Sequence, residues 1–221
     1  ERWPNLFKIA RSFADITVIA YNTYLRPSSL YSPLKRYWYS QIYQYCHHIY
    51  TQHPTPFSML SLPTTQIHHL GSPKAASVIL KKEKYPVKKE SSKIPVLLVG
   101  SVHPDELPIY IHLWQHLQSR GHTVHLVLVP RHLTWAASLQ EQVNRLQTTT
   151  HHYDHTHDTP ALVAQSIGTH LISPGITTVS VLGVLYDLYQ HATIFYLGGT
   201  FNKVGGHNVL EPAVWQLPIL T

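Results

Sequence analysis

Apolar positions recur along this chain in two periods, one helical and one strand-like. Residues 4–13 place Leu6, Ile9, Ala10 and Phe13 at helical spacing, and the apolar run 16–21 follows as a buried strand. A tyrosine-rich segment, 32–45, predicts a helix, and His48-Ile49-Tyr50-Thr51 a short strand. Further on, Pro95-Val96-Leu97-Leu98-Val99 reads as a strand of the parallel kind, apolar throughout because both of its faces are covered. A helix is predicted from about 105 to 120, stopped by Gly121, whose freedom at positive φ suits a helix end. A strand at 123–129, helices at 136–147 and 183–191, and a strand at 193–197 come next. A glycine-rich turn, a helix from Asn208 and an apolar stretch at 218–221 complete the pattern. Strands that alternate with helices predict an α/β fold with parallel, doubly wound sheets, in which ligands sit at the carboxyl ends of strands. The loops after 95–99, 123–129 and 193–197 carry His103, Arg131 and Thr200, so all three are expected at one sheet edge.

Charge divides this pattern in two. Residues 81–93 read KKEKYPVKKESSK, with six lysines and a proline, as a solvated connector does. The division predicts one unit over 1–80 and a second over 94–221. The chain has 221 residues, 43% hydrophobic and 13% charged, which is enough apolar material for a real core and excludes disorder. No apolar run reaches membrane-spanning length. The single cysteine, Cys46, excludes an internal disulfide. The formal net charge of +6 suits an anionic partner: nucleotide, phosphate, acidic lipid or nucleic acid. Nucleic acid is the weakest of these, because the lysines gather in one connector instead of interleaving with aromatics on a face.

Candidate chemistry concentrates at GGTFNKVGGHNVLEP, residues 198–212. Four of the chain's 10 glycines, Gly198, Gly199, Gly205 and Gly206, lie there within nine residues. A strand precedes them, and Asn208-Val209-Leu210-Glu211 follows with the spacing of a helix start. Glycine lets backbone approach a ligand closely, and free N–H groups of a first helical turn attract anions. The same residues also read as an ordinary tight turn in which Asn208 and Glu211 form a capping box. A second cluster, His151-His152-Tyr153-Asp154-His155-Thr156-His157-Asp158, holds four histidines and two aspartates. On a helix His151 and His155 would share a face, as zinc, copper or nickel ligands do. In a chain with 18 histidines it also reads as a polar loop, and no metal is assigned to it.

The string at 198–212, continued by Ala213 and by Leu217-Pro218, resembles the signature of the Kdo transferases, GT-B glycosyltransferases that move 3-deoxy-manno-octulosonate from its CMP conjugate to the lipid A precursor. Further segments resemble the family in the same order. They are Glu1-Arg2-Trp3-Pro4-Asn5, Asn22-Thr23-Tyr24-Leu25 with Ser28-Ser29, and Gly71-Ser72-Pro73-Lys74. Then come Gly100-Ser101-Val102-His103-Pro104 with Glu106, and Pro130-Arg131-His132. The resemblance implies a GT-B fold of two Rossmann-like doubly wound domains, both truncated in this chain. The first would hold the acceptor and the second the donor CMP-Kdo. It also implies an internal fragment, inactive alone, of a protein anchored at the cytoplasmic face of the bacterial inner membrane, with a catalytic base upstream of Glu1.

Transfer from a CMP-sugar develops oxocarbenium character on the sugar and negative charge on the departing CMP. By resemblance, Arg131 lies against cytosine and phosphate, and the loop from Ser101 to His103 lines the donor cleft. Thr200, Gly205, Gly206 and Asn208 offer hydrogen bonds to the phosphate, and Glu211 accepts from the ribose hydroxyls. Glu1 faces the acceptor, lipid IVA in the family, as a catalytic-side carboxylate. No metal or other cofactor and no nucleic acid is implied; the partners are CMP-Kdo, the lipid A precursor and the membrane surface. Four positions depart from the family pattern. Tyr24 stands for an arginine and Ser72 for an asparagine; Gln52-His53-Pro54 stands for Q-S-E and Gly183-Val184-Leu185 for G-E-L. These fall more on acceptor handling than on donor binding. They leave open a divergent GT-B enzyme using another nucleotide sugar, or a non-catalytic remnant that binds nucleotide or lipid.

Overall fold

The computed structural model describes residues 4–53, 55–84, 93–201 and 208–221. They form two compact units, Glu1–Ser77 and Val78–Thr221.

In the first unit the described elements are α1 (Pro4–Arg11), β1 (Ile19–Thr23), α2 (Pro33–Tyr43), β2 (His48–Thr51), α3 (Thr55–Ser58) and β3 (Ile67–His69). Helix α4 (Pro73–Lys84) starts here and runs on into the second unit. Pro33 opens α2, where its fixed φ and missing N–H cost nothing. The strands pair in the order β1-β2-β3, all parallel. Their burial alternates: in β2, Ile49 and Thr51 are buried while His48 and Tyr50 are half-buried. Ile49 packs with Val18, Leu30, Tyr43 and Phe57 in a core on one face. Cys46 lies in that core, and burial pushes its thiol up to about 11, which makes it an inert small apolar residue. On the other face His48 and His68 meet ring nitrogen to ring nitrogen at 3.1 Å.

The second unit holds β4 (Val96–Val102), α5 (Leu107–Ser119), β5 (His125–Pro130), α6 (Ala136–Asn144), β6 (Thr150–Asp154), α7 (Pro160–Ser166), β7 (Gly175–Ser180), α8 (Leu185–Leu188), β8 (Ile194–Leu197), α9 (Leu210–Val214) and β9 (Ile219–Leu220). Its sheet runs β6-β7-β5-β4-β8-β9, with every pair parallel. Successive residues of β4 serve opposite faces. Val96 and Leu98 pack with Val163 of α7, Tyr186 of α8 and Trp215, whereas Leu97 and Val99 pack with Tyr110 and Trp114 of α5 and Leu139 of α6. The sheet is thus doubly wound, as the alternation of strands and helices predicts. Gly121 takes φ +81° just past α5, and the amides of Gly121 and His122 close its last carbonyls. Among the described residues no helix is long and apolar enough to cross a membrane.

Residues 81–84 of the lysine-rich segment form the last turn of α4; residues 85–92 lie outside the described residues. The ammonium groups of Lys81 and Lys82 stand 3.7 and 3.0 Å from the ring centroids of Tyr186 and Trp215, a cation–π arrangement.

Three strands, β3, β6 and β7, are unannounced by the hydrophobic pattern, and β6 settles how the histidine cluster at 151–158 is arranged. His151 and His155 share no helical face. Residues 150–154 are a parallel edge strand on β7, and His155 lies in the turn beyond it. The cluster's side chains have structural partners instead. The His151 ring stacks on His170 at 3.8 Å, and His152 bridges Thr178 Oγ1 and Asn144 Oδ1, both at 2.7 Å. Asp154 accepts from the Thr156 amide and hydroxyl, and Asp158 accepts from the Asp154 amide. No group of three or more potential metal ligands forms among the described residues. Beneath this edge, His125 is 1% exposed. Its Nδ1 donates to the Ser173 carbonyl at 2.7 Å, so its Nε2 accepts from the Thr177 hydroxyl at 2.8 Å. Burial lowers its pKa to about 4 in spite of the Ser173 hydrogen bond, so the ring is neutral.

Candidate functional site

The chain leaves β4 toward β5 on one side, then passes from β7 to β8 on the other. That reversal beside β4 is the switch point at which open parallel sheets bind ligands, outside the carboxyl ends of the strands. Three loops emerge there: Ser101–Glu106 at the end of β4, Arg131–His132 after β5, and Gly198–Phe201 after β8.

Backbone irregularity fixes their shape. The register of β4 on β5 slips between Gly100 and Val102, so Ser101 is bulged out of the ladder, at φ +60°. A non-glycine residue in the left-handed region is held there by its surroundings, and such strain gathers at functional sites. The surroundings are visible. The Arg131 amide donates to the Val102 carbonyl at 3.0 Å, and the Gly198 amide to the Gly100 carbonyl at 2.8 Å. The β5 and β8 loops are thereby tied to either side of the bulge. Gly198 admits no side chain, because a Cβ there would stand 2.3 Å from the Ser101 carbonyl oxygen. Gly199 follows at φ +84°.

Glu106 closes the arrangement. Its side chain is 1% exposed at the start of α5. The Gly199 amide donates to both carboxylate oxygens, at 3.0 and 2.8 Å, and the Phe201 amide to Oε1 at 3.1 Å. The Tyr110 hydroxyl donates to Oε2 at 3.2 Å. Burial, and then the Glu106 charge, push the Tyr110 phenol far above its ordinary pKa, so it stays a donor. A buried carboxylate is otherwise costly; here it is matched by hydrogen bonds and stands at the positive end of a 13-residue helix. Glu106 belongs to the motif segment at 100–106 but is not among the binding residues expected from sequence. The available signal is a carboxylate directly before the apolar helix LPIYIHLW, with Tyr110 at i+4.

The expected site residues, the donor-binding set and acceptor-side Glu1, divide into three groups. Ser101, His103, Arg131 and Thr200 stand on the three converging loops. Ser101 is half-buried; His103 is buried with its ring 5.3 Å from that of Trp135; Arg131 extends an exposed side chain. Thr200 Oγ1 donates to the Leu197 carbonyl at 3.2 Å, and the half-exposed Phe201 ring stacks on Tyr196. Asn208 and Glu211 stand at the start of α9. Asn208 Oδ1 accepts from the Leu210 amide at 3.1 Å, two residues on, which is an Asx turn instead of a capping box. The charge of Glu211, second to burial, raises the phenol pKa values of Tyr186 and Tyr189, which places the carboxylate near α8. Glu1, Gly205 and Gly206 lie outside the described residues.

No family model matches the chain. Among curated proteins it is 27% identical over 124 residues to the 3-deoxy-D-manno-octulosonic acid transferase of Aquifex aeolicus, covering 56% of this chain and 31% of that protein. It is 29% identical over 131 residues to the transferase of the same name from Chlamydia trachomatis, covering 59% of this chain and 27% of that one. The chain thus matches less than a third of the length of these relatives. Among solved structures, the C-terminal CMP-Kdo binding domain of WaaA from Acinetobacter baumannii is 24% identical with a TM-score of 0.45, over 66% of this chain and 68% of that one. The resemblance carried by the sequence motifs is borne out: the chain is similar to the 3-deoxy-D-manno-octulosonic acid transferases.

Proposed function

We propose that this chain carries the donor-binding region of a GT-B glycosyltransferase that moves Kdo from CMP-Kdo to a lipid A precursor, at the cytoplasmic face of the inner membrane. The observation that supports this most is the convergence of three motif loops on the carboxyl edge of one parallel sheet, at its switch point. The names of the relatives support transfer of 3-deoxy-D-manno-octulosonic acid.

In this reading CMP lies over the ends of β4 and β8. Arg131 faces the phosphate from the β5 side, and its fixed positive charge offsets the negative charge that grows on departing CMP. The Ser101 bulge and the Thr200 hydroxyl line the opposite wall. Glu211 accepts from the ribose hydroxyls, and the glycines at 205 and 206 let backbone approach the phosphate. Charge neutralisation by these groups requires no metal ion. The acceptor would be met by the first unit, near Glu1.

The test is a thermal-shift titration with CMP, UMP and AMP in parallel. The reading predicts stabilisation by CMP above the other two, since a ligand bound only by the folded state raises stability with its concentration. Preference for UMP would point to a different nucleotide sugar, and a folded chain indifferent to all three would overturn donor binding.

A further inference from the structure

We propose that Glu106 is a positioning residue: its carboxylate is a built-in anion that fills the N–H nest of the β8 turn and fixes the backbone on which Thr200 is carried. That the turn it fixes serves the donor rests on the function proposed above.

Consecutive backbone amides aimed at one point form a ready anion site, as they do in phosphate-binding turns. In the glycine turn, the amides of Gly199 and Phe201 aim at one point, and the Glu106 carboxylate already occupies it at 2.8 to 3.1 Å. Among the described residues no cation pairs with Glu106; three donors, the two amides and the Tyr110 hydroxyl, meet its charge. The residue between the two amides is Thr200, whose backbone is therefore pinned on both sides. Glu106 also joins the β4 loop to the β8 loop, so one side chain sets both parts of the wall that faces Arg131. It follows that a donor phosphate is not held by the amides of Gly199 and Phe201. Phosphate contacts must come from other groups, such as Arg131 and the residues nearer α9. In the described part of the glycine turn, the amides of Gly198, Gly199 and Phe201 are thus already satisfied within the chain.

The test uses the whole 221-residue chain, labelled with 15N, and the variants Glu106→Ala and Glu106→Gln. In wild type the Gly199 and Phe201 amides, both hydrogen-bonded to Glu106, are expected to exchange slowly with solvent. Removal of the carboxylate leaves both donors unmatched, and Glu106→Ala is expected to speed their exchange by about tenfold or more. The vacated nest should then accept a small carboxylate. Sodium formate is expected to restore protection at Gly199 and Phe201 and to restore CMP affinity, whereas sodium chloride at equal ionic strength and neutral formamide do neither. A general packing role would not respond to formate. If Glu106→Ala fails to fold, Glu106→Gln keeps the side-chain volume and replaces one acceptor oxygen by a donor. It is expected to speed exchange at Gly199 while the amides of β4 and β5 stay protected.

Unchanged exchange at both amides in either folded variant overturns the proposal, as does a folded Glu106→Ala chain on which formate has no effect. Equal CMP affinity in wild type and Glu106→Ala removes the positioning role and leaves donor binding standing. Formate rescue of amide protection in a chain that ignores CMP has the opposite meaning: the clamp stands and the donor reading falls.

Discussion

The two units solve the same problem, a parallel sheet that must hide its faces, with different completeness. In the second unit neighbouring residues of one strand are buried on opposite sides, as Leu97 and Leu98 are, and helices cover both faces. In the first unit the strands alternate. Ile49 and Ala20 enter the core, while their neighbours Tyr21 and Tyr50 face away from it, Tyr21 at 58% exposed. Continuous burial therefore marks a strand as interior, and alternation marks one covered face. The difference also locates chemistry: the two-sided sheet forces its polar work to strand ends, where the loops of the candidate site lie.

Truncation of adjacent residues separates two covered faces from one. In β4, Leu97→Ala and Leu98→Ala are each expected to destabilise the second unit by about 2–5 kcal/mol, because each deletes a buried side chain from its own core. In the first unit, Ile49→Ala is expected to cost a similar amount, whereas Tyr21→Ser on the other face of the sheet should cost within about 0.5 kcal/mol. Urea midpoints of the four variants measure this. Equal losses for Ile49→Ala and Tyr21→Ser would mean that the first sheet is covered on both faces.

A gentler probe uses pH. His125 has a folded pKa of about 4 against an ordinary 6.5. As pH falls below about 6.5 the unfolded chain takes up a proton that the folded ring resists, so the second unit loses stability down to about pH 4 and no further below it. The full span corresponds to about 3 kcal/mol, and the effect vanishes above about pH 7. Urea unfolding at a series of pH values should show this loss in wild type and a smaller one in His125→Gln. A wild-type stability that stays flat between about pH 7 and about pH 5 would mean that the ring is protonated as easily folded as unfolded.

The same contrast explains what the sequence conveyed. Strands β4, β5 and β8 were legible because two covered faces demand continuous apolar residues, and their order along the chain placed His103, Arg131 and Thr200 at one edge. Strand β7 was not legible: its GITTVS holds buried Thr177 and Thr178, which read as polar. Their hydroxyls are satisfied by His125 and His152, partners far away in sequence. Strand β6 was hidden for the same reason. Its histidines read as a polar loop or as possible metal ligands, and they serve as hydrogen-bonding and stacking groups at a sheet edge. Glu106 was legible only as a motif letter. Its role depends on amides 93 and 95 residues away, and no local pattern reports those.

The proposed donor site places nucleotide at the carboxyl ends of β4, β5 and β8. Titration of CMP into the 15N-labelled chain, followed residue by residue in amide spectra, tests it most directly. Nucleotide at this edge is expected to give saturable shifts at Ser101, His103, Arg131, Thr200 and Asn208, with the opposite sheet edge around Thr123 and Thr193 unmoved. Shifts centred on that opposite edge, or in the first unit alone, would contradict it.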